Sequence, residues 1–186
     1  MTGLRALWLP VLLSSVAVFL VSWVIHAMLP WHKGDYHKLP DEDKARDLLR
    51  PLNIPPGDYM VPRPGSMADM RSPQFQEKMK QGPNFTMTVL PSGMPAMGSM
   101  LLTWFVYLLA VSVCSAYVAG RASPWGASYL HVFRFVGVTA FLAYGAALCQ
   151  FSIWYSRSWD TTIRYLIDAL LYACVTAGFF GWLWPH

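Results

Sequence analysis

The chain has 186 residues, 55% of them hydrophobic and 15% aromatic, and a formal net charge of +4. That charge does not indicate a nucleic-acid partner, because residues 30 to 97 carry nine Lys/Arg against eight Asp/Glu with the signs mixed. The three cysteines, Cys114, Cys149 and Cys174, all fall within apolar runs and offer neither a disulfide framework nor a Cys metal site.

Residues 6 to 28 contain no Asp, Glu, Lys or Arg. At ~1.5 Å rise per residue such a helix reaches ~35 Å, enough for a ~30 Å hydrocarbon core. A signal peptide would have a shorter apolar region and a small-x-small cleavage site, whereas this run exits through Met28, Leu29, Pro30 and Trp31. Residues 1 to 29 are therefore read as a retained first transmembrane helix.

Residues 30 to 97 are too long for a turn and too rich in proline for one helix, and are expected to form a small α+β extramembrane lobe. "PDEDKARDLLRPL" opens on Pro and acids that suit a first helical turn, and it places Ala45, Leu48, Leu49 and Leu52 on one face. "DYMVPR" and "NFTMTVL" are β-prone and could pair. Between them "SPQFQEKMKQG" has a Ser start, a Gly stop and helical spacing of Phe75 and Met79. So small a lobe should lean on the membrane helices or on a partner.

Residues 98 to 186 hold three further apolar runs, 98–120, 129–154 and 165–184, each able to span once. The expected fold is an all-α membrane bundle of four transmembrane helices with the lobe between helices one and two. Flanking Lys/Arg leave the orientation nearly balanced; the reading adopted puts both termini in the cytoplasm and the lobe in the periplasm. Small residues mark helix-packing faces: Ala169, Ala173, Ala177 and Gly181 recur every fourth residue, Ser112, Ala116 and Gly120 repeat that spacing, and Gly137 opens a seam continued by Ala140, Ala143 and Ala147.

Candidate sites are few. His32 and His37 are five apart, ~140° around a helix, which suits paired zinc ligands poorly, and no Cys or third His lies near in sequence. Trp31, Tyr36, Lys33, Lys38 and the acids that follow read more simply as an interfacial collar. Met94, Met97 and Met100 offer soft thioethers for Cu(I), though Met is equally a gap filler and Pro95 interrupts the repeat. Polar residues within spans carry a functional hypothesis by default. His26, Gln150 and Asp168 should lie near the lobe-side surface and His131 and Arg134 near the opposite one, with Asp168 able to pair with Arg164 at i,i+4. No metalloprotease, phosphate-loop or nucleophile-elbow motif is present.

The segments "LPWHKGDYHKLPDED", "PPGDYMVP", "GPNFTMTVLPSG", "FRFVGVTAFLAYG" and "TAGFFGWLWP" resemble a group of bacterial four-helix integral membrane proteins of similar length. The resemblance implies a bacterial inner membrane and no activity. The functional expectation is a non-enzymatic accessory or scaffold subunit bound to the bilayer and to a membrane-protein partner or a second copy, with no cofactor. The alternatives are a copper-handling or small-solute transport protein, and an intramembrane enzyme using His26 and Asp168.

Overall fold

All four apolar runs form helices long and apolar enough to cross a membrane: Leu4–Met28, Met97–Ala122, Tyr129–Tyr155 and Trp159–Trp182. The computed structural model describes residues 2–186. Two units separate, one built from the chain up to His37 and from Ala96 onward, the other from Lys38–Pro95.

In the first unit, helix α1 (Trp8–Trp23) is preceded by a 3-10 turn at Leu4–Leu7 and runs on through a π turn at Val24–Met28. The second unit contributes α2 (Glu42–Leu49), β1 (Gly57–Val61), α3 (Met67–Met70), α4 (Pro73–Gln81) and β2 (Phe85–Val89). The chain then returns to the first unit with α5 (Met97–Ala122), α6 (Tyr129–Tyr144), α7 (Cys149–Tyr155) and α8 (Trp159–Trp182). Helix α8 packs on α6 and α1, and α5 packs on the same two, so the four long helices close a ring.

The ring is apolar outside and buries hydroxyls and a carboxylate among its apolar core residues, such as Val18, Leu108, Val136 and Phe180. Ser14, Ser15, Ser112, Ser115, Thr162, Thr176 and Asp168 are buried, while Trp8, Leu20, Leu102, Val138 and Leu170 face outward. In hydrocarbon, apolar side chains gain nothing by turning inward and buried polar groups bond between helices instead. Ser112 Oγ accepts a hydrogen bond from the Ser15 hydroxyl at 3.1 Å and shares another with Ser14 at 3.1 Å, placing hydroxyls in the middle of spans that read as apolar in sequence.

The small-residue faces are used within the chain. Ala169, Ala173, Ala177 and Gly181 are all buried, as are Ser112, Ala116 and Gly120. A Cβ on Gly181 would lie 2.7 Å from the Tyr129 ring, one on Gly137 would touch the Ala177 methyl at 3.5 Å, and one on Gly145 would lie 2.8 Å from that of Ala169. Ala143 and Ala147 are exposed, so the α6 seam does not extend to them.

Two expectations about the spans are corrected. The third is not one continuous helix: α6 stops at Tyr144, and a 3-10 turn at Ala146–Leu148 joins it to α7, with Gly145 at the break, close against Ala169 of α8. The fourth begins at Trp159 rather than residue 165. Its polar first turns obscure the apolar signal but are held by tertiary bonds, Thr162 to Ser152 at 2.7 Å and Arg164 to Asp35 at 2.8 Å.

In the second unit, the Asp41 carboxylate caps α2 by accepting from the Lys44 N–H at 3.0 Å, and the Ser72 hydroxyl caps α4 by accepting from that of Phe75 at 3.1 Å. Gly82, at φ +57°, ends α4. Strands β1 and β2 pair antiparallel from Gly57↔Val89 to Val61↔Phe85. Leu48, Leu49 and Leu52 remain exposed. Phe75 is the one buried residue of 38–95 among the described residues. Phe75→Ala is therefore expected to cost about 3 kcal/mol and to unfold this unit, seen as new proteolytic cleavage confined to residues 38–95.

Candidate functional site

The site lies at the end of the ring where α1 finishes and α5 begins. Past the π turn, Pro30 occupies the first position of a 3-10 turn (Pro30–His32), its fixed φ preorganising that turn. The Lys33 N–H donates to the Pro30 carbonyl at 3.2 Å and that of Asp35 to the His32 carbonyl at 3.1 Å. These successive turns set His32 and Asp35 side by side and aim both at α8, so residues 30 to 37 belong with the helices rather than with the lobe.

A continuous chain of hydrogen bonds follows. Arg164 Nη1 donates to Asp35 Oδ1 at 2.8 Å, and Asp35 Oδ2 lies 2.6 Å from His32 Nδ1. His32 Nε2 lies 2.7 Å from Asp168 Oδ2, and the Trp31 indole N–H donates to Asp168 Oδ1 at 3.1 Å. The Asp35 and Asp168 side chains are only 2% and 3% exposed. Burial pushes the Asp35 carboxyl up, but the hydrogen bonds from His32 and Arg164 outweigh it and hold the group below the usual carboxylate range.

Aromatic rings wall the chain in. His26, in the π turn, stacks on His32 with centroids 4.3 Å apart and planes 17° from parallel. The Tyr165 ring lies 4.8 Å from that of His32 and carries the Arg157 guanidinium 4.7 Å from its centroid. The Tyr172 hydroxyl sits 3.4 Å from His26 Nε2. One ligand atom each from His26, His32 and Asp168 lies within 4.8 Å of the others.

His26 and Asp168 also form part of the wall of a cavity of about 800 Å³ between the four long helices. Phe19, Leu101, Trp104 and Leu148 supply apolar surface, and Tyr107, Tyr144 and Tyr172 supply phenols. Tyr107 donates to the Ala143 carbonyl at 2.7 Å and Trp104 to the Ser22 hydroxyl at 2.9 Å, which fixes both rings. Apolar walls with a few converging polar groups are the usual composition of a small-molecule site.

Of the residues singled out in the sequence, the structure brings His26, His32 and Asp168 together. Asp168 is not paired with Arg164: its partners are His32 and Trp31, and Arg164 reaches Asp35 instead, because the turns after α1 present better-placed groups than a neighbour on the same helix. His32 thus turns inward, Trp31 stays exposed while its indole N–H reaches Asp168, and Lys33, Tyr36, His37 and Lys38 are exposed. Met97 lines the cavity, Met100 is exposed on α5, and Met94, in the other unit, is 95% exposed. Gln150 and Arg134 are exposed; His131 has a buried Nε2 with no hydrogen-bond partner among the described residues and packs its ring 5.0 Å from Phe135.

Asp35, Arg164 and the tyrosines went unrecognised as site residues. The available signal was Asp168 itself, since an acid inside a span needs a partner. No protein-family model, curated protein or solved structure matches the chain.

Proposed function

We propose that this protein binds a membrane-dissolved amphipathic molecule, its apolar body in the cavity between the helices and its oxygen-bearing head against His26, Asp168 and Tyr172. The observation that carries the reading is the cavity of about 800 Å³ with contributions from all four membrane-spanning-capable helices, apolar in most of its lining and offering His26, Asp168 and Tyr172 as neighbouring polar groups. Four such helices fit a multi-pass membrane protein, and the outward apolar faces suit contact with lipid. The resemblance noted in the sequence supports a bacterial inner membrane, and Arg5 and Arg121 support termini on the cytoplasmic side.

Titration of a dibrominated long-chain alcohol into the detergent-solubilised full chain tests the binding. Saturable quenching of tryptophan fluorescence is expected, reduced in amplitude by Trp104→Phe, with affinity at least tenfold weaker in Ala27→Phe, which adds a ring to the cavity wall. Quenching that never saturates, or that Ala27→Phe leaves unchanged, overturns the reading.

An accessory-subunit role is the second reading, and it draws on the lobe rather than on the helices. The small-residue seams are filled within the chain, whereas Leu48, Leu52 and Leu90 are each more than 60% exposed on a unit with little core of its own. A stoichiometric partner in mild-detergent extracts at native expression, lost with Leu48→Ser and Leu90→Ser, is the expected result; extracts holding this chain alone count against it.

A further inference from the structure

We propose that His26, His32 and Asp168 form a binding site for a divalent transition-metal ion of the zinc type, with one coordination position open to the cavity. The open position is argued from the cavity reading given above; the three ligands are not.

The donor set comes first. Two imidazoles and one carboxylate, delivered by the π turn of α1, the Pro30 turn and α8, suit a borderline ion bound by three protein ligands with a fourth position left for water or substrate. Their ligand atoms already lie within 4.8 Å of one another. Metal–ligand distances of about 2.0–2.2 Å in a tetrahedron require donor separations of about 3.3–3.6 Å. His32 Nε2 and Asp168 Oδ2, now 2.7 Å apart, would open slightly to admit an ion. His26 would tilt out of its stack on His32 and give up its 3.4 Å hydrogen bond with Tyr172 to turn a ring nitrogen toward the ion.

The second argument is the outer shell. A metal-bound histidine characteristically donates its other ring N–H to a carboxylate, which fixes its tautomer and raises its basicity. Asp35 Oδ2 stands 2.6 Å from His32 Nδ1 for that purpose, and Arg164 holds Asp35 in turn at 2.8 Å. The free oxygen of Asp168 accepts the Trp31 indole N–H at 3.1 Å, which orients the second ligand.

The third is the count of hydrogens. Both ring nitrogens of His32 face carboxylate oxygens, but a neutral imidazole has one N–H to donate. Either a second proton or a metal ion must lie between Nε2 and Asp168. Arg164 reaches only Asp35, so the buried Asp168 carboxylate has no guanidinium of its own and favours a cation at that point in either case, and the nearby His26 nitrogen favours the metal, since it adds a ligand where a proton would gain none.

The test uses the full chain purified on a histidine-free affinity tag, stripped with chelator and titrated with Zn²⁺ against a chromophoric competitor. One Zn²⁺ per chain is expected, with affinity at least hundredfold weaker in His26→Gln and Asp168→Asn and about tenfold to hundredfold weaker in Asp35→Asn, and unchanged in His37→Gln. His26→Gln is decisive, because it removes a ligand without touching the chain from Arg164 to Asp168; its fold is checked by elution volume and thermal unfolding. No saturable Zn²⁺ binding to the parent chain, or parental affinity in His26→Gln, overturns the site and leaves a proton-held ion pair. Alcohol quenching on the stripped protein separates the two proposals: quenching without Zn²⁺ binding defeats the metal site alone, and Zn²⁺ binding without quenching defeats the amphiphile reading alone.

Discussion

Asp35→Ala is expected to lower the stability of the helical unit by about 3 kcal/mol, the usual cost of removing one member of a buried ion pair. Its carboxylate, 2% exposed, bridges Arg164 and His32, so alanine leaves a guanidinium and an imidazole facing each other across the space it vacates. Asp35→Asn should cost less, because its amide oxygen can still accept from Arg164. Asp43→Ala, on an exposed first turn of α2, should stay within about 0.5 kcal/mol of the parent. Thermal unfolding in detergent, followed by tryptophan fluorescence, ranks the three; equal melting temperatures for Asp35→Ala and Asp43→Ala would show that the chain of hydrogen bonds does not hold the turns to α8.

Gly145→Ala is expected to destabilise by about 2 kcal/mol, in the range for overpacking a close helix contact. The added methyl would lie 2.8 Å from the Ala169 methyl and 3.2 Å from Leu166 Cδ2, closer than packed carbons sit, so α7 or α8 must move. Backbone strain is not the cause, since φ at Gly145 is −125°. The double variant Gly145→Ala with Ala169→Gly moves the methyl to the opposite wall and should recover most of the loss. That non-additivity is what a shared contact produces. Additive losses in the same melting assay would place the cause elsewhere than in this approach.

Much of the secondary structure was legible because its signals are local. Length without charge marks the four helices, Ser72 and Gly82 bracket α4, and the β-prone runs about residues 58–63 and 84–90 pair as strands. These follow from hydrogen bonding and backbone preference within a few residues. The polar start of α8 at Trp159 and the break at Gly145 were not legible, because each depends on a partner distant in sequence: Ser152 and Asp35 for the first, Ala169 for the second.

The candidate site divides in the same way. The sequence marked Asp168 and His26 as costly inside a membrane span, and His32 as one of two histidines just beyond the first helix. Taken alone, the spacing of His32 and His37 argued against paired ligands; in the structure His37 is exposed and lies outside the group. Hydropathy and helical spacing by themselves determined four apolar spans, small-residue faces and an intramembrane acid in need of a partner. Only the tertiary structure decided which partner. The π turn, Pro30 and the turn after it carry His32 back to Asp168, 136 residues away in sequence, and the ring of helices places Asp168 and His26 on the wall of one cavity. Which groups meet depends on the path of the backbone between them, and no local propensity encodes that path.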